Sequence, residues 1–156
     1  MSDTKLGVRK ATVLLRQDHE RVKKLFSEYE ALGEDRMHDK AGLFREIERE
    51  LTIHATIEEE IFYPAVEVVR KGKTEGDEIV KEALEEHKIV KTLLAELSDL
   101  DAVSDTFEAK MKVLKENVLH HAEEEQADMF PLFEKLSKEE QSRVSQKLSD
   151  RKSDLE

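Results

Sequence analysis

The strongest constraint on this chain is a phrase written twice, His54-Ala-Thr-Ile-Glu-Glu-Glu-Ile-Phe-Tyr-Pro64 and His121-Ala-Glu-Glu-Glu-Gln-Ala-Asp-Met-Phe-Pro131. In each copy a glutamate (Glu58, Glu125) follows the histidine by four residues and a proline follows it by ten. On an α-helix, residues i and i+4 stand one above the other on the same face, with Cβ atoms about 5–6 Å apart. An imidazole and a carboxylate so placed can close on one ion. Two such pairs facing each other make a metal site.

The duplication extends upstream. Asp18-His-Glu-Arg-Val-Lys-Lys-Leu-Phe26 matches Glu86-His-Lys-Ile-Val-Lys-Thr-Leu-Leu94 at an offset of 68 residues, and the two longer phrases match at 67. Two helix hairpins related by a pseudo-twofold axis bring His19, His54, His87 and His121 to one level of an up-down-up-down four-helix bundle. Glu58 and Glu125 then arrive there from opposed helices.

The apolar periodicity supports that layout. Ala11, Leu15, Val22, Leu25/Phe26, Tyr29 and Leu32 recur at three or four residues and predict a helix over about 8–32, with His19 in a gap of the stripe. Gly33-Glu-Asp-Arg36 ends it, and His38, off any stripe, reads as a surface residue. Phe44, Ile47, Leu51, His54, Glu58, Ile61/Phe62, Ala65 and Val68/Val69 predict a second helix over about 39–71, kinked at Pro64, which has no backbone donor. Gly72-Lys-Thr-Glu-Gly76 predicts a turn in which Gly72 ends a helix and Thr74 or Asp77 begins the next. The third helix, about 77–100, carries His87 on the stripe Val80, Ala83/Leu84, Val90, Leu94, Leu97. A capping-box pattern at Ser104-Asp105-Thr-Phe-Glu108 opens the fourth, through Phe107, Met111, Leu114, Val118, His121, Glu125, Met129, Leu132 and Leu136. Ser137-Lys-Glu-Glu140 starts a short terminal helix to about 150, anchored by Val144 and Leu148, with a frayed tail in which Leu155-Glu156 carries no functional weight. The expectation is one all-α domain over 1–156, with its core at about 8–136.

Composition agrees and narrows the chemistry. Charged residues make up 40% of the 156 and aromatics 5%, with five glycines and two prolines, the balance of long amphipathic helices. A net charge of −11 repels nucleic-acid phosphates and anionic lipid, so neither is expected as a partner. The chain has no cysteine, which leaves nitrogen and oxygen as the metal donors. With no signal-like or membrane-length apolar run, the expected location is cytoplasmic.

A lone histidine on an apolar face is ordinarily a satisfied core residue, and a lone His-x-x-x-Glu a surface pair. The full set is different: an unpaired carboxylate is costly to bury, and here two fall on core positions. The metal ligands read from the set are His19, His54, Glu58, His87, His121 and Glu125. Four imidazoles and two bridging carboxylates suit two ions about 3.5–4 Å apart. Iron fits the nitrogen–oxygen set, and manganese or zinc match it in softness. Around the ligands, Asp18 and Glu86 are candidates to orient them, Glu59, Glu60, Glu123 and Glu124 read as a solvated face from which one acid could orient a histidine, and His120, Tyr29 and Tyr63 read as surface or packing groups. Ferritin-like di-iron sites need Glu-x-x-His, but the residues three before His54, His87 and His121 are Leu51, Leu84 and Val118. A zinc-protease motif starting at His19-Glu20 lacks its second histidine, which is Lys23.

With His19, His54-x-x-x-Glu58, His87 and His121-x-x-x-Glu125 on successive helices, and Phe-Tyr-Pro64 and Met-Phe-Pro131 after the pairs, residues 8–150 resemble the hemerythrin-like (HHE, cation-binding) family. The resemblance implies a four-helix bundle with a non-haem, oxo- or hydroxo-bridged di-iron centre that meets dioxygen, nitric oxide or peroxide. Oxygen-carrying members have a further histidine where this chain has Lys91, and an aspartate where it has Gln126. That departure points to the subgroup of sensors, peroxide-decomposing (catalase-like) proteins and iron-handling modules that act through a partner.

Overall fold

The computed structural model describes residues 8–33, 37–71 and 74–156. The elements are α1 (Ala11–Glu30), α2 (Met37–Ile57), a π turn (Glu58–Phe62), α3 (Tyr63–Val66), β1 (Arg70–Lys71), β2 (Thr74–Glu75), α4 (Gly76–Ser98), α5 (Asp105–Glu124), a second π turn (Glu125–Met129), α6 (Phe130–Phe133) and α7 (Lys138–Leu155). β1 and β2 pair antiparallel in a ladder of two residues each. Gly72 and the side chain of His38 lie outside what is described, so the helix stop and the surface position expected of them do too. Among the described residues no helix is long and apolar enough to cross a membrane.

The core is divided in two by a polar layer, and the order in which each helix meets the parts fixes the topology. One apolar cluster holds Leu14 and Leu15 of α1, Ile57 of α2, Val80 of α4 and Met129 beyond α5, closed by Phe62, Phe133, Val144 and Leu148. The other holds Val22 and Phe26 of α1, Ile47 and Leu51 of α2, Leu94 and Leu97 of α4, and Leu114 and Val118 of α5. So α1 and α4 run from the first cluster to the second, and α2 and α5 run back. Each crosses the layer at its histidine. This is the all-α, up-down-up-down bundle that the periodicity predicts.

The expected kink at Pro64 is a π turn, and the same turn recurs before Pro131. Tyr63 N–H bonds to the Glu58 carbonyl and Phe130 N–H to the Glu125 carbonyl, each five residues back. The wider turn begins at Glu58 in one half and Glu125 in the other, and the proline falls in the first turn of the helix that follows. A proline there sacrifices little, because its missing donor lies at a break in the ladder.

Helix ends follow local chemistry with two departures. The Ser104 and Ser137 hydroxyls accept from the N–H groups of Phe107 and Glu140, both at 3.1 Å. Glu108 does not complete the box; its carboxylate takes the Tyr29 hydroxyl at 3.0 Å and Lys40 at 2.5 Å, tying α5 to α1 and α2. Neither Thr74 nor Asp77 is the cap of α4, which has Glu75 in that position, with no capping hydrogen bond from its side chain to the helix.

The tail is not frayed. α7 continues to Leu155, which packs against the first cluster, and the Glu156 carbonyl accepts from Arg49 at 2.6 Å. Midway along α7 the Ser145 hydroxyl accepts from Ala11 N–H at 2.8 Å, capping a helix that has no side-chain cap of its own.

Gly76 sits where α4 meets the end of the first hairpin, and a Cβ there would lie 2.1 Å from the Val66 carbonyl oxygen and 2.8 Å from that of Val69. Both neighbours are backbone, so relief requires a shift of the chain. Gly76→Ala is expected to lower stability by about 1–3 kcal/mol, read as a lower denaturant midpoint at unchanged slope; an unchanged midpoint would contradict this packing.

Candidate metal centre

The structure brings all six predicted ligands to the polar layer. Glu58 is 0% and Glu125 3% exposed, and the four imidazoles surround them. His19 and His54 lie edge to face with ring centroids 5.0 Å apart, and His87 and His121 do the same at 4.9 Å. The histidines therefore pair within each half of the repeat.

Each carboxylate divides its oxygens between the two pairs. Glu58 Oε2 lies 3.1 Å from His54 Nε2, and Glu58 Oε1 lies 3.1 Å from His87 Nε2. Glu125 Oε1 lies 3.0 Å from His19 Nε2, and Glu125 Oε2 lies 3.4 Å from His121 Nε2. His19, His54, Glu58 and Glu125 offer four donor atoms all within 4.8 Å of one another, and Glu58, His87 and His121 offer a second such group. Either group could hold a cation, and the two carboxylates are shared between the two nitrogen pairs.

The outer nitrogens are all engaged. His54 Nδ1 meets Asp18 at 2.9 Å, His87 Nδ1 meets Glu59 at 2.6 Å, His121 Nδ1 meets Glu86 at 2.5 Å and His19 Nδ1 meets Gln126 at 2.7 Å. A carboxylate or amide oxygen only accepts, so a ring proton sits on each Nδ1 and Nε2 is the atom that faces inward. These contacts obey the repeat. The acid before the first histidine of each half holds the second histidine of that half, and the residue after Glu58 or Glu125 holds the first histidine of the other half.

Donor atoms facing the centre are short of partners. His19 Nε2, His54 Nε2, Glu58 Oε2 and Glu125 Oε1 are buried and make no hydrogen bond, although His19 Nε2 and His54 Nε2 lie within 3.1 Å of a carboxylate oxygen. The close approach is one of convergence on a common point. Buried polar atoms are ordinarily satisfied, and four orphans aimed together fit a cation. Without one, protons take its place. Burial lowers the His54 pKa, but Glu58 and Asp18 hold it well above the ordinary value. His121 is likewise pulled down by burial yet raised to about 10 by Glu125 and Glu86.

One residue in the centre escaped the sequence reading, which took it as packing. The Tyr63 hydroxyl lies 2.8 Å from Glu125 Oε2, 3.0 Å from His87 Nε2, and 3.1 Å from both His121 Nε2 and Glu58 Oε1. Burial, with Glu58 and Glu125 beside it, pushes the phenol well above its ordinary pKa, so its proton is retained. The signal was in the repeat: the counterpart of Tyr63 is Phe130, which has no hydroxyl and stacks on His19 at 6.1 Å. A hydroxyl present in one half only marks a break in the symmetry.

The remaining neighbours fall into place around this set. Lys91 bonds Glu59 at 2.9 Å and so steadies the acid that holds His87. Lys152 of α7 reaches Asp18 at 2.6 Å, which links the terminal helix to His54. His120 is exposed and pairs with Glu124 at 3.3 Å, away from the centre.

Comparisons with known proteins agree with this geometry. The model of the hemerythrin HHE cation-binding domain matches residues 10–133. A DNA nickase of Nostoc is 29% identical over 75% of this chain, and a hemerythrin-like protein of Schizosaccharomyces pombe is 29% identical over 81%. The matches span 31% and 60% of those two relatives. A crystal structure of a hemerythrin HHE cation-binding domain-containing protein from Mycobacterium kansasii superposes with a TM-score of 0.80, covering 94% of this chain and 87% of that one at 24% identity, which establishes the shared fold. By the span of the family match and the His/Glu centre inside it, this metal-binding chain belongs to the hemerythrin HHE cation-binding domain family.

Proposed function

We propose that the chain is a non-haem di-iron protein whose centre binds or reacts with dioxygen, nitric oxide or peroxide. The division of two buried carboxylates between two imidazole pairs carries this reading. One iron is assigned to His19, His54, Glu58 Oε2 and Glu125 Oε1. The other would be held by His87, His121, Glu58 Oε1 and Glu125 Oε2, with the protonated Tyr63 hydroxyl beside these carboxylates. The irons supply one-electron redox steps and a position for a small oxygen or nitrogen ligand. Nitrogen and carboxylate donors suit iron, and manganese or zinc would give a different absorption spectrum on loading.

The protein's part is to hold, orient and protect. Asp18, Glu59, Glu86 and Gln126 fix the ring orientations, and the two apolar clusters flank the layer on either side. Tyr63 keeps a proton on Oη beside Glu125 Oε2. Cleavage of a peroxide bond consumes protons, so this proton favours a peroxide-decomposing oxidoreductase as the second reading. Nicking of DNA is not part of the proposal: the relative of that name is matched over under a third of its length, and a net charge of −11 opposes a phosphate backbone.

Anaerobic titration with ferrous iron is expected to saturate at two ions per chain and to give oxo-bridge absorption on exposure to air; no uptake, or one ion without a spectrum, would refute the assignment. Iron must displace the protons that the metal-free centre holds. Because His121 is raised to about 10, its proton is bound at neutral pH and iron affinity should climb between about pH 6.5 and 8, roughly tenfold per pH unit for each proton released. The metal-free protein should move the other way. A raised histidine stabilises it fully below the unfolded value and progressively less as pH rises towards the folded one. Tyr63→Phe is expected to retain two irons and to slow peroxide decay at least tenfold; unchanged decay would remove the hydroxyl from the chemistry.

A further inference from the structure

A cavity of about 190 Å³ lies against the four imidazoles, on the side of the second apolar cluster. Its walls come from each long helix at the same step from the ligand: Val22 and Val90 three residues after His19 and His87, and Leu51 and Val118 three residues before His54 and His121. Leu94 extends the wall, and the exposed Thr52 and Lys91 mark where the cavity reaches the surface between α2 and α4. The imidazoles offer it no free donor, since every Nδ1 is engaged with an acceptor.

Size and polarity together decide what fits. A water's share of liquid volume is about 30 Å³, and an apolar cavity of about 150 Å³ stays dry and takes benzene. Dioxygen, nitric oxide or hydrogen peroxide would leave most of this space unfilled. We infer that the cavity, apolar on its walls and imidazole-lined on its floor, binds a compact organic molecule of alkyl or aryl hydroperoxide class, with the hydrocarbon against Val22, Val90 and Val118 and the oxygens towards the histidines.

This rests on the di-iron reading for its chemistry and on the cavity alone for its binding. In the corresponding single turnover, RO–OH takes up two protons from solvent and one electron from each of two ferrous ions. The O–O bond breaks, alcohol and water leave, and both ions end ferric.

The test uses the iron-loaded chain and a redox-inert probe, 2-phenyl-2-propanol, with the straight-chain alcohols from 1-butanol to 1-hexanol, read by titration calorimetry. Saturable binding of the probe is expected, with affinity rising roughly fourfold per added methylene. Val90→Phe and Leu51→Phe, made separately, should each weaken it at least tenfold at unchanged iron content. The alcohol series on the unaltered chain reads the same wall without any variant. No binding, a flat alcohol series, or equal binding in a filled variant that retains iron would overturn the inference. Failure of iron uptake with probe binding intact would refute the di-iron reading and leave the cavity assignment standing.

Discussion

Two carboxylates buried at the centre of a helical bundle govern this structure. Glu58 and Glu125 lie between two apolar clusters, in a place where charge is tolerated only against opposite charge. Four imidazoles alone meet that demand only by holding protons, which is what the raised values of His54 and His121 express. A cation at each imidazole pair meets it as well. The helices, caps and π turns serve to bring six donors from four helices into one layer and keep them there.

The repeat makes the centre nearly symmetric, and the departures from it give the two imidazole pairs different surroundings. The His87/His121 pair faces Tyr63 and is supported by Glu59 and Glu86; the His19/His54 pair faces Phe130 and is supported by Gln126 and by an Asp18 already paired with Lys152. The first environment is more anionic and has an extra hydroxyl. Lys91, at the position that carries a further histidine in oxygen-carrying members of the family, serves here to steady Glu59.

Much of this was legible in the sequence because it rests on spacing. Stripes at three and four residues marked the helices, and the offsets of 67 and 68 placed the histidines at one level. What stayed hidden depends on atoms rather than periods. Pro64 announced a disturbance, but whether it would be a kink or a π turn depends on which carbonyl the preceding N–H reaches, and the matching break before Pro131 was not read at all. Tyr63 looked like packing because only the convergence of two halves puts its hydroxyl beside Glu58, His87, His121 and Glu125. α7 looked short because Val144 and Leu148 are its clearest apolar anchors, whereas its last turns are held by Lys152 on Asp18 and Arg151 on Glu60. Ion pairs between distant helices leave no period in a sequence.

Whether the two carboxylates bring two ions together is tested most directly by X-ray absorption at the iron edge of the loaded protein. Shared carboxylates require an iron–iron scattering path at about 3.5–4 Å or shorter if a single oxygen also bridges, with nitrogen and oxygen as the only near neighbours. A spectrum of the fully loaded protein with no iron–iron path would mean that the imidazole pairs act separately or that only one is filled, and a carboxylate-bridged pair of irons would be ruled out.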